Sequence, residues 1–85
     1  MPSGLKKLTL QGMTAKKTDE LLKSCNIDTL ASGIGSSTDE QLIDAYILLD
    51  YYVFILKPQE SENVRKARAF IGLELQKRLT KYTMH

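Results

Sequence analysis

The sequence predicts an all-α fold: a small helical bundle built on an antiparallel helical hairpin (residues 38–57 and 62–81) with one or two shorter N-terminal helices. Three observations predict it. Apolar residues recur at helical spacing along most of the chain. The most apolar stretch, Leu42 to Leu56, follows a helix-capping signature and is closed by Pro58. After a connection of only a few residues, a second long segment carries its own apolar face, so the two helices become antiparallel neighbours.

With 85 residues, 42% of them hydrophobic and 26% charged, the chain makes one small domain. Leu, Ile, Val and Phe account for 23 of the 85 residues, above the roughly 20% level below which charged chains stay disordered. The core is thin, because a domain this short buries only about 60–65% of its unfolded surface. It leans on a partner or on self-association.

The first 13 residues mix Leu5, Leu8, Leu10 and Met13 with Lys6, Lys7, Gly4 and Gly12. They read as a lead-in arm, and residues 14–85 as a single helical domain. From Thr14 to Cys25 the pattern of Ala15, Leu21, Leu22 and Cys25 fits a modestly amphipathic helix, with Asn26 as a left-handed end. Asp28 is the expected N-cap of a short helix that stops before Gly33.

The stretch from Gly33 to Thr38 is the clearest break. Ser37 with Glu40, or Thr38 with Gln41, has capping-box spacing. A phosphate loop is the alternative at such a site, but Asp39 and Glu40 put two negative charges in the first turn and no P-loop lysine follows. The central helix then runs over 38–57. Leu42, Tyr46, Leu49, Val53 and Leu56 follow the 4, 3, 4, 3 spacing of a packing seam, while Ile43, Ile47, Phe54, Ala45, Leu48, Tyr52 and Ile55 cover most of the rest. A helix apolar nearly all round has to be covered nearly all round. Asp50 interrupts this surface and requires solvent or a basic partner, either on the last helix or on another molecule. Ser61 is the expected N-cap of the last helix, whose face comprises Val64, Ala67, Ile71, Leu75, Leu79 and Tyr82.

Scarce residues exclude whole classes of chemistry. One cysteine, Cys25, and one histidine, the terminal His85, leave no disulfide framework, no four-ligand zinc site and no scaffolded catalytic histidine. Cys25 reads as a small buried apolar residue in a reducing, cytoplasmic compartment. No cofactor is implied. Leu42 to Leu56 is too short for a membrane span and carries Asp44 and Asp50.

Charge is segregated. Residues 36–60 hold five acidic side chains against one basic, and residues 61–85 hold six basic against two acidic. Mutual attraction within a hairpin accounts for this. The basic helix nonetheless gathers Lys66, Lys77 and Lys81 around Phe70, with Arg78 at the edge, a set able to follow a nucleic-acid backbone.

The segment Ser37-Thr38-Asp39-Glu40-Gln41-Leu42-Ile43-Asp44-Ala45-Tyr46 resembles the opening of the sporulation checkpoint inhibitor Sda, and Phe70 to Arg78 is similar to the second helix of that hairpin. The resemblance implies an antiparallel helical hairpin that binds and inhibits a sensor histidine kinase. Lys17-Thr18-Asp19, Ile27-Asp28-Thr29-Leu30 and Leu42 to Asp50 resemble instead the Hha and YmoA modulators, helical partners of the nucleoid protein H-NS. That likeness implies that Asp50 meets a basic group on the partner. Both families are cytoplasmic regulators that act by binding protein.

The expectation is therefore a non-enzymatic regulatory or adaptor protein, with a homodimer among its possible states, binding through Asp50, Tyr51 and Phe54. The alternative is a nucleic-acid-binding or nucleoid-associated regulator using Lys66, Phe70, Lys77, Arg78 and Lys81.

Overall fold

The computed structural model describes residues 3–83, with side chains from residue 12 to residue 81. All regular elements among the described residues are helical: α1 (Ser3–Ser24), α2 (Ile27–Ser36), α3 (Asp39–Ile55), a 3-10 turn (Pro58–Glu60) and α4 (Glu62–Thr83). Helix α1 runs back to Ser3, through the stretch expected as an arm, instead of starting near Thr14. The side chains of Leu5, Leu8, Leu10 and Tyr82, and the whole of His85, lie outside the described residues.

Asn26 adopts φ −80° and ψ 159°, and its side chain accepts the Thr29 N–H at 2.8 Å. It therefore caps the start of α2, in place of Asp28, and is not the left-handed end of α1. The short carboxamide satisfies an amide that would otherwise have no partner, which a left-handed turn would not do. Helix α2 passes through Gly33 and Gly35 to Ser36, so the break falls at Ser37. Neither glycine has a positive φ. Helix continuity outweighs a propensity cost of about 1 kcal/mol per glycine. The Ser36 and Ser37 hydroxyls both donate to the Gly33 carbonyl, at 3.1 and 2.7 Å, and help to end the helix.

Thr38 opens α3 with a complete capping box. The Gln41 N–H donates to Thr38 Oγ1 at 3.1 Å, and the Thr38 N–H donates to Gln41 Oε1 at 2.9 Å. Two of the amides that could cradle a phosphate here are thereby occupied.

Helix α4 packs against each of the other three helices and most extensively against α3. Asp39 pairs with Arg78, Tyr46 lies beside Gly72, and Asp50 pairs with Arg68, so positions rise along α3 as they fall along α4. Gly72 permits this approach, since a Cβ there would stand 3.3 Å from Tyr46 Cε2. The buried apolar core comprises Ala15 from α1, Ile34 from α2, Leu42, Leu49 and Tyr52 from α3, and Val64, Ala67 and Ile71 from α4. Of the expected α3 seam, Leu42 and Leu49 are buried, Tyr46 is exposed and Val53 is half-buried, while Tyr52 joins the core. On α4 the expected face holds through Ile71, but Leu79 is 67% exposed. Arg78 is already level with Asp39, the first residue of α3, so Leu79 lies beyond its neighbour's end.

Ser61 is buried, yet its hydroxyl does not cap α4 as expected. Its Oγ donates to the Pro58 carbonyl at 3.3 Å and accepts from Arg65 Nε at 3.2 Å, tying the 3-10 turn to α4. The cap comes from another helix. The Val64 N–H donates to Asp19 Oδ1 at 2.7 Å, and Asn63 Nδ2 donates to Asp19 Oδ2 at 3.2 Å. Asp19 is buried on α1 one turn from Ala15, and its negative charge also suits the positive end of the α4 dipole.

Replacing Asp19 by Ala leaves a buried amide without an acceptor and is expected to cost about 2 kcal/mol, with Asp19→Asn costing less. Urea unfolding measures both, and equal stability of Asp19→Ala and the parent would contradict this role. Open space surrounds the Cβ position of Gly35. Gly35→Ala is therefore expected to stabilise by about 0.5–1 kcal/mol, read as a rise in thermal midpoint.

Candidate functional site

The residues facing away from the core determine what the fold can bind. At 100° per residue, Leu42, Ala45, Leu49, Tyr52 and Leu56 line the inward side of α3 and its end, and Ile43, Ile47, Asp50 and Phe54 line the opposite side. Phe54 is 85% exposed, Ile47 62% and Ile43 48%. Tyr51, at the margin of this stripe, is half-buried, and its ring lies 6.3 Å from that of Tyr52 at a tilt of 47°. An apolar ridge of two isoleucines and a phenylalanine thus runs along the solvent side of the most apolar helix. Phe54 and Tyr51 belong to the expected site, and Ile43 and Ile47 join them. The signal for these two is their own 4, 3, 4 spacing with Asp50 and Phe54.

Asp50 sits within the ridge, and Arg68 of α4 reaches it. Arg68 Nη1 donates to Asp50 Oδ1 at 2.6 Å. The carboxylate that the Hha likeness assigns to a partner's basic group is met here by the chain's own last helix. Asp50 keeps 61% of its side chain exposed, so water and Arg68 together solvate the charge within the apolar stripe.

The basic face of α4 divides. Lys66, Lys77 and Lys81 are exposed. Phe70 is half-buried against the core, so its ring is not free on both faces as a stacking platform. Arg78 is committed to internal partners. It donates to Asp39 Oδ1 through Nη1 at 2.7 Å and to Glu74 Oε2 through Nε at 2.9 Å. Its Nη2 also points at the Ile34 and Gly35 carbonyls, at 3.4 and 3.3 Å. One guanidinium thereby joins the end of α2, the start of α3 and α4. Hydrogen bonds to Asp39 and then Glu74 hold its pKa above the ordinary arginine value.

Cys25 is exposed in the bend after α1, not buried as expected, because the helix ends one residue before it and the chain turns there at the surface. No group of three or more His, Cys, Asp or Glu side chains that could hold a metal occurs among the described residues. No described helix is long and apolar enough to cross a membrane.

Along the second half of α1, Lys16 Nζ lies 2.9 Å from Glu60 Oε2 and ties the helix to the 3-10 turn. The hydrogen bond from Lys16 lowers the Glu60 pKa, and the same bond raises that of Lys16. Comparison with protein-family models, with curated proteins and with solved structures finds no match to this chain.

A carboxylate whose pKa is lowered on folding binds fewer protons in the folded than in the unfolded state, so its contribution to stability is complete above the unfolded value and is lost as pH falls through the folded one. Glu60→Gln is therefore expected to be less stable than the parent near neutral pH, with the difference closing below the ordinary glutamate range. Urea midpoints of the two proteins across the acid range test this, and a pH-independent difference would contradict it.

Proposed function

We propose that this chain is a non-enzymatic regulatory or adaptor protein that acts by protein–protein binding through the outward ridge of α3. The observation that carries the reading is the ridge itself: Ile43, Ile47 and Phe54 exposed on the side of α3 opposite Leu42, Leu49 and Tyr52. Apolar stripes with an exposed aromatic anchor supply the buried centre of protein interfaces, and truncating such anchors removes a large share of binding energy. The supporting framework is the antiparallel α3–α4 hairpin, braced by Arg68 and Arg78. The single cysteine suits a reducing, cytoplasmic setting. Both families resembled in the sequence act by binding protein, in keeping with this reading.

The test uses tagged full-length chain to capture partners from lysate of the source organism after nuclease treatment. Phe54→Glu and Ile47→Glu are expected to weaken partner binding by roughly tenfold or more while changing stability by less than about 0.5 kcal/mol. Circular dichroism checks the fold. Capture that is undiminished in both variants would overturn the ridge as the binding surface.

A further inference from the structure

We infer that the occupant of the α3 ridge is the ridge of a second copy of this chain, lying antiparallel to the first. This deepens the protein-binding reading and rests on it. Ile43, Ile47, Asp50 and Phe54 are spaced 4, 3 and 4 residues apart, as the seam positions of a helix that packs on another helix are. Charge at the two ends of the seam is opposite in sign. The start of α3 carries Asp39, Glu40 and Asp44, and Lys57 stands two residues past its end. Because Asp39 is already bound to Arg78, Glu40 and Asp44 are the acidic groups left to face a partner.

Orientation decides whether two such ridges attract. Side by side in the same direction, they place Glu40 against Glu40, Lys57 against Lys57 and the two positive helix ends together. In opposite directions, with the two-fold axis between Ile47 and Asp50, each Ile43 meets the partner copy's Phe54 position and each acidic start meets the partner copy's lysine. The helix dipoles then also oppose. Asp50 falls beside Ile47 of the other copy as a single polar layer, its carboxylate already neutralised by Arg68 at 2.6 Å. A lone polar position in an apolar seam fixes register at some cost in affinity. Helix α3 is about 25 Å long. Contact along one such helix per chain lies at the low end of stable interfaces, so the dimer is expected to form at micromolar to millimolar concentrations, on the order of 10 µM to 1 mM.

Sedimentation equilibrium of the full chain from about 10 µM to about 1 mM, at low and high salt, tests this. The expected result is a reversible dimer weakened by salt. Glu40→Lys and Lys57→Glu each create two like-charge contacts per dimer and are expected to weaken association by roughly three- to thirty-fold. The double variant E40K/K57E restores both contacts with the polarity exchanged and is expected to regain the parent affinity. A parallel dimer would gain nothing from the double exchange, and that outcome overturns the orientation. A strictly monomeric chain overturns the proposal; if Phe54→Glu then still abolishes capture of another protein, the broader protein-binding reading stands, and if no protein is captured both readings fall.

Discussion

The carboxylate of Asp19, buried on α1 and bonded to the Val64 amide at 2.7 Å, is the contact on which the packing of this chain turns. A helix starts with amides that have no partner inside the helix, and at the start of α4 the Val64 amide is buried where water cannot serve. Ser61, the residue next to its start, is occupied in bracing the 3-10 turn. An acceptor must therefore come from elsewhere, and Asp19 supplies it while Asn63 holds the second oxygen. Since Val64 is fully buried, this bond sets where α1 meets the helix that touches every other helix.

Around that point the core is small. Eight apolar side chains are buried among the described residues, and two of them are alanines. Polar cross-links between elements add definition that a thin core does not provide. Arg78 joins α2, α3 and α4, Arg68 reaches α3, Arg65 grips the Pro58 carbonyl, and Lys16 holds Glu60. Several of these pairs are solvent-exposed and individually weak. Their effect is orientation more than energy, because planar guanidinium groups make bonds in fixed directions. Two of the five acidic side chains of residues 36–60, Asp39 and Asp50, pair with basic side chains of residues 61–85.

The same economy explains why α3 has two sides of nearly equal apolarity. One is consumed by α4 and its neighbours. On the other, Phe54, Ile47 and Ile43 stand exposed, and leaving them in water forfeits burial worth about 25 cal/mol per Å². Burial by association is the physical remedy for an exposed apolar stripe of this kind.

The sequence by itself determined the helical elements and most of their ends. The Thr38–Gln41 capping box, the stop at Pro58 and the Val64–Ala67–Ile71 face are local or periodic signals. Local chemistry misled at Asn26, whose side chain can cap as readily as its backbone can turn, and at the glycines of α2, which a helix can absorb. Only tertiary structure decided which side of α3 faces inward. Leu42, Tyr46, Leu49, Val53 and Leu56 form one seam and Ile43, Ile47, Asp50 and Phe54 another, one residue or 100° away, with the same spacing. Periodicity cannot choose between them. The choice is made by contacts of α3 with α4, such as Asp39 with Arg78, 39 positions apart, and Tyr46 beside Gly72, which exist only once the helices have met.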